Sequence, residues 1–243
     1  MDYWDPAVTD GLAQSREVIL FNNVGVASSS GDTPTSFPEM GANAIAFVRA
    51  LGLQQVDVLG ISIGGFVAQE IALQDGELVR KVILVGTGHR GNDMSASRSA
   101  EIFSGTYDPP EHVWLAVHFA PSEASQQAGL AFLERKWRRQ DRDPEVSSQT
   151  VAAQGKAIGK WVEPGDQVLA YLKAIQQPTL IVQGSNDVII PTAHSVTLQQ
   201  HLPNAQLVIY PDSNHGSIYQ YPERFVAHAQ QFLNEGPAGT AGA

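Results

Sequence analysis

Five short apolar runs, each closed by turn residues, constrain the fold of this chain more than any other feature. They are Val18-Ile19-Leu20-Phe21, Val56-Asp57-Val58-Leu59, Val82-Ile83-Leu84-Val85, Leu180-Ile181-Val182 and Leu207-Val208-Ile209-Tyr210. Runs that are nearly continuous in β-branched residues predict strands buried on both faces, as in a parallel sheet covered by helices. Helical patterns lie between them: Phe37 to Leu51 carries Ala42, Ile45, Ala46, Val48 and Leu51, and Ile63 to Leu73 is an alanine-rich stretch. Short strands alternating with helices of this length predict right-handed βαβ crossovers and a doubly wound, mostly parallel α/β sheet. The length of 243 residues suits one such domain.

Residues 91–164 break the rhythm. They hold no good strand but several helical stretches, including Glu111–Phe119 and Glu123–Arg139, so they read as a helical cap inserted into a core formed by 1–90 and 165–235. Within the cap, Arg135-Lys136-Trp137-Arg138-Arg139 is the only basic cluster in the chain. It is expected to be a solvated helix face, neutralised by the adjoining Asp141, Asp143 and Glu145. The Gly/Ala-rich end, 236–243, is expected to be a frayed, flexible tail.

Composition removes several classes of function. With no cysteine there is no disulfide, thiolate metal site, iron–sulfur cluster or cysteine nucleophile. A formal net charge of −10 argues against nucleic acid and anionic lipid as partners. No apolar run reaches membrane-spanning length, and Met1-Asp2-Tyr3-Trp4-Asp5-Pro6 shows no signal peptide, so a cytoplasmic protein with a small-molecule substrate is expected. No phosphate-binding glycine loop, dinucleotide fingerprint or H-E-x-x-H pattern occurs, so neither cofactor nor metal is expected.

The chemistry is carried first by Gly60-Ile61-Ser62-Ile63-Gly64-Gly65, a G-x-S-x-G placed directly after a strand and before a helix. A tight strand-to-helix turn there lifts the serine hydroxyl above the carboxyl edge of the sheet, and small residues around it let neighbouring backbone pass close. The following helix aims its first N–H groups at the same place, which favours an oxyanion; the Ile63 backbone N–H is the donor this predicts.

A serine hydroxyl needs a base. Of seven histidines, His215 lies in the turn-rich Tyr210-Pro211-Asp212-Ser213-Asn214-His215-Gly216, just past a strand. His89 also follows a strand, between Gly88 and Arg90, and reads as an exposed loop residue. His112, His118, His194, His201 and His228 fall in helical patterns and are most simply surface or packing residues. The base in turn needs a carboxylate to fix its tautomer. Asp187, in Gly184-Ser185-Asn186-Asp187, leaves the preceding strand, with room for one helix (Thr192 to Leu202) and one strand before His215. Asp212 competes, although its place three residues before His215 suits a turn-former. Phe66, His89, Trp114, His118, Phe119, Trp137 and Trp161 are candidates to line a pocket, or to pack the cap.

These three segments resemble those of the α/β-hydrolase superfamily, in its esterase, lactonase and cofactor-free haloperoxidase-like branch. The resemblance runs from the Phe21-Asn22-Asn23-Val24-Gly25 turn to the terminal helix. It implies a Ser62–His215–Asp187 triad, acyl-enzyme chemistry on an ester or lactone, no cofactor, and a helical cap over the pocket. Carbon–carbon hydrolysis and perhydrolysis would use the same triad. Two departures stand out. Gly25-Val26-Ala27-Ser28-Ser29 replaces the usual Gly-x-Gly-x-Ser, placing alanine where a positive φ is expected. The strands that precede this point in relatives, one of which brings half of the oxyanion hole, have no counterpart here, so the chain reads as N-terminally shortened and the second oxyanion donor has no source in it. A weakly active or purely binding protein is the alternative that this suggests, and an exposed edge on the elbow strand would favour a homodimer.

Overall fold

The computed structural model describes residues 1–94 and 96–236; most of the expected tail, 237–243, lies outside them. In chain order the elements are α1 (Pro6–Ala13), α2 (Phe37–Ala50), β1 (Val56–Ile61), α3 (Ile63–Gln74), β2 (Val79–Val85), α4 (Ala96–Ser104), α5 (Val113–His118), α6 (Glu123–Lys136), α7 (Ser148–Trp161), β3 (Thr179–Gly184), α8 (Thr192–His201), β4 (Ala205–Tyr210), α9 (Ser217–Gln220) and α10 (Pro222–Asn234). Four strands form one parallel sheet in the order β1-β2-β3-β4.

The pleat divides the interior in two. Val82, Leu84 and Ile181 face a core shared with Phe37, Met40, Phe66, Ile71 and Leu198, from α2, α3 and α8. Their neighbours Ile83, Val85, Leu180 and Val182 point the other way, towards Val8, Leu12, Phe225 and Phe232 of α1 and α10. Strand residues alternate sides, so a run apolar throughout can only be satisfied by helices on both faces. The inserted segment contributes to both cores: Ala157 and Trp161 of α7 join the first, and Leu115, Phe119, Phe132 and Leu133 join the second.

Local signals set several helix starts. Asp5 caps α1, its carboxylate accepting from Ala7 N at 2.9 Å. Ser122 and Ser147 do the same for α6 and α7, accepting from Ser125 N and Thr150 N. The pattern Glu111–Phe119 resolves into a 3₁₀ turn, Pro110–His112, followed by α5, and the second cap helix stops at Lys136 rather than Arg139.

Two expectations are corrected. Val18–Phe21 is not a strand: it pairs with nothing in the sheet, and Ile19 and Phe21 are exposed. It borders an apolar cavity of about 410 Å³, whose other walls include Leu12, Phe47, Val48, Leu51 and Val56–Leu59 of β1. Strand propensity becomes a strand only when a neighbour supplies the ladder, and among the described residues none pairs with these. The basic cluster is a solvated face only in part. Arg135 forms a two-pronged ion pair with the fully buried Asp5 (3.0 and 2.6 Å), and Arg139 meets Asp2 at 3.0 Å. Lys136 is buried, its ammonium 4.4 Å over Trp114 and 4.3 Å over Trp137. Trp137, Arg138 and Arg139 are exposed as expected, Arg138 pairing with Glu134 at the surface. The acids that pair with Arg135 and Arg139 come from the start of the chain, not from 141–145. Burial lowers the Lys136 pKa to about 8, with the neighbouring Arg142 adding to the shift.

Candidate active site

Ser62 sits between β1 and α3 with φ 55° and ψ −124°, a conformation that non-glycine residues rarely adopt. Close packing holds it there. A Cβ on Gly60 would lie 2.2 Å from the Gly64 carbonyl oxygen, and one on Gly65 would lie 2.5 Å from Thr87 Oγ1. Gly64, by contrast, has open space where its Cβ would be, so the second indispensable glycine is the one three residues after the serine rather than two. The Ser62 carbonyl accepts from Gly65 N at 2.9 Å and from Thr87 Oγ1 at 2.8 Å, and Ser62 N donates to Val85 O, which ties the elbow to the end of β2. Ile63 opens α3, so its N–H is one of the donors that a helix start leaves unpaired.

Asp187 and His215 meet on the loops after β3 and β4. His215 Nδ1 donates to Asp187 Oδ2 at 2.9 Å, which leaves Nε2 as the basic nitrogen. The carboxylate is saturated with donors: Ile189 N and Ile190 N reach Oδ1 at 2.9 Å each, and Gln183 Nε2 reaches Oδ2 at 2.7 Å. A carboxylate so bonded can stay charged while nearly excluded from water. The two loops touch directly. A Cβ on Gly184 would lie 2.2 Å from Asn214 O, Asn186 N donates to Ser213 O, and Val188 N donates to the Asn214 side chain at 2.8 Å. Asp212 is elsewhere: exposed, with φ 47°, it accepts from Ser122 Oγ at 2.5 Å.

The elbow and the base loop converge through Gly86, where a Cβ would lie 3.2 Å from His215 O and 3.3 Å from His215 Nδ1, one residue before the Thr87 that holds Ser62. Among the described residues Ser62 Oγ and His215 Nε2 are not hydrogen-bonded to each other. Catalytic contacts of this kind commonly tighten only once substrate is bound.

The pocket candidates divide. Phe66 and Trp161 stack at 4.8 Å with Phe37 edge-on to both, and Phe119 is 2% exposed beside Phe132, so these three are core. Trp137 is 44% exposed and covers Lys136 and Arg142. His89 is buried rather than looped out, its Nδ1 on Arg90 O at 2.8 Å and its Nε2 3.3 Å from His194. Burial holds its pKa below the usual histidine range. Trp114 stacks on His118, and His118 lies against His215. Gln183 was not anticipated, although a glutamine inside an otherwise apolar strand is a signal: it is fully buried and must be bonded, here to Asp187, Ile190 O and Ser195 Oγ. Among the described residues no cluster of three or more histidine, aspartate or glutamate side chains is arranged to hold a metal. No helix among them is long and apolar enough to cross a membrane.

Residues 1–222 match the family model for the alpha/beta hydrolase fold. The chain belongs to this family. It is 30% identical over 239 residues to a 2-hydroxymuconate semialdehyde hydrolase of Pseudomonas putida, covering 93% of this chain and 80% of that protein. It is 31% identical over 216 residues to a poly(3-hydroxyalkanoate) depolymerase of Ectopseudomonas oleovorans, covering 84% and 71%. Among solved structures, an alpha/beta hydrolase fold protein from Chitinophaga pinensis is 40% identical with a TM-score of 0.89, over 97% of this chain and 85% of that one. The α/β-hydrolase fold explains why the three site segments share one edge: loops leaving parallel strands all emerge at the carboxyl ends.

Proposed function

We propose that this α/β-hydrolase is a serine hydrolase of small or medium carboxylic esters or lactones, with Ser62 as nucleophile, His215 as base and Asp187 as the carboxylate that orients it. The observation that carries this reading is the His215–Asp187 pair, buried and fully bonded, on the same sheet edge as a serine held at φ 55°. Ser62 Oγ attacks the carbonyl carbon while its proton passes to His215 Nε2. The oxyanion that forms lies at the start of α3, where the Ile63 N–H can donate to it. His215 then returns the proton to the leaving alcohol, and the C–O bond breaks to give acyl-Ser62. Water, deprotonated by His215, releases the acid and regenerates the serine.

A second reading, carbon–carbon hydrolysis with the same three residues, is favoured by the 30% identity to a 2-hydroxymuconate semialdehyde hydrolase. Product analysis on matched ester, lactone and vinylogous diketone substrates separates the two.

The first test is intact-mass analysis after exposure to a fluorophosphonate, which needs an activated serine but no knowledge of substrate. One adduct on the native chain, and none on Ser62→Ala, is expected. A folded native chain that takes no adduct would sink the assignment and leave a binding protein on a hydrolase fold.

A further inference from the structure

A second histidine lies against the catalytic base. His118, the last residue of α5, stacks nearly parallel on His215, with ring centroids 5.7 Å apart and planes 13° off. Trp114 stacks on His118 in turn at 5.2 Å, Tyr219 meets it edge-on at 5.4 Å, and the Lys136 ammonium stands 4.4 Å over Trp114. Backbone fixes the contact. Gly216 N donates to His118 O at 2.9 Å, and a Cβ on Gly216 would come within 2.5 Å of His118 Cβ. Asn214, on the other side of His215, points its amide at Ala116 O and Phe119 O, at 3.4 and 3.5 Å. The end of α5 and the base loop are therefore clasped together.

His118 is 8% exposed, and among the described residues its Nδ1 has no hydrogen-bond partner. A second ring proton, with both nitrogens protonated, would make a buried cation whose Nδ1 has no acceptor, facing His215 and near Lys136. Burial, then those two neighbours, hold its pKa well below the usual histidine range. The groups facing the pair are Asp187 on His215, and Lys136 and Tyr219 around His118; Asp212, on the same loop, turns away to Ser122.

We propose that His118 is a positioning residue for His215: its neutral ring fixes the orientation of the base and offers a π-face to the imidazolium formed when His215 takes the proton of Ser62. The proposal rests on the triad reading. A cation within about 6 Å of a ring centroid is attracted by the ring's electron-rich face, the more so away from water. A charged ring in the same place would instead repel the imidazolium, so the device works only because His118 stays neutral.

The test compares the native chain with His118→Phe, which keeps a ring, and His118→Leu, which keeps burial without one; His118→Met replaces the latter if it does not fold. Two readouts are taken: acylation by p-nitrophenyl acetate across pH 5 to 9, and nitrogen-15 NMR titration of the histidine rings, which needs no turnover. His118→Phe is expected to keep kcat within about threefold and to leave the His215 titration in place. His118→Leu is expected to lower kcat about tenfold with little change in KM, and to move both the acid limb and the His215 titration down by about half a pH unit. Equal behaviour of the Phe and Leu variants, or a His118 that titrates in the native chain near pH 6.5, overturns the proposal. Fluorophosphonate labelling that survives His215→Ala would overturn the triad, and this proposal with it. Labelling that requires His215, with an unmoved titration in His118→Leu, overturns the role of His118 alone.

Discussion

β3 and β1 are both six-residue parallel strands that lead into a site residue, yet β3 lies between two neighbours and buries all six residues, whereas β1 has one neighbour and buries only Gly60. Asp187 rises from the covered strand, and its carboxylate is bonded to saturation; His215 follows β4, the opposite edge. Ser62, the proposed nucleophile, rises from the strand beside the 410 Å³ cavity. The comparison shows that Ser62 is held in place by the elbow's own packing, Gly60 on Gly64 and Gly65 on Thr87, more than by the sheet around it. The pairing of β1 with β2 and the bond from Ser62 N to Val85 O anchor that elbow from one side only.

The largest expected effect lies on the saturated side. Asp187→Asn should lower kcat about 10⁴-fold, because His215 Nδ1 would then lose its acceptor and the tautomer would no longer be fixed. Retention of kcat within tenfold of the native value would break the assignment of the acid. Next comes packing. Leu180→Ala in β3, where the side chain is 2% exposed, should cost about 3 kcal/mol in denaturant unfolding, and Leu59→Ala in β1, whose side chain already borders the cavity, about 1 kcal/mol. Equal costs would mean that β1 is as well covered as β3.

Gln183→Met should lower kcat about tenfold with KM little changed, since it removes one of four donors to Asp187 while preserving volume. An unchanged kcat would show that the two backbone donors and His215 suffice. The smallest effect sharpens the account of the elbow. Gly65→Ala should destabilise by about 1–3 kcal/mol through its clash with Thr87. Gly64→Ala should be neutral, or stabilising by up to ~1 kcal/mol, since it adds a helix-favouring residue in open space. A Gly64→Ala variant as damaged as Gly65→Ala would contradict the packing described for Ser62.

The sequence was most readable where the decisive interactions are local. A strand, a G-x-S-x-G and a helix in direct succession leave the chain one way to turn, and Ser62 accordingly has the positive φ such a turn demands. Ala27, in place of the usual glycine, likewise adopts φ 52°. Where chain neighbours and spatial neighbours differ, the sequence misled. Val18–Phe21 carries the same pattern as the four real strands but has no partner beside it. Arg135 and Arg139 have acids close by in sequence, yet pair with Asp5 and Asp2 from the other end of the chain.

Backbone preference and hydrophobic period thus determined four strands, the helices between them and the strand-end loops that carry Ser62, Asp187 and His215. Tertiary structure alone decided which strands stayed half-covered, which carboxylate reached His215 Nδ1, that Gln183 would brace that carboxylate, and that His118 would lie parallel to the His215 ring. The reason is one of range. Turn geometry and side-chain period act over a few residues, so the sequence displays them directly. Strand pairing, ring stacking and buried ion pairs join groups far apart in the chain, as Arg135 and Asp5 are at 130 residues, and only the folded chain brings those groups within bonding distance.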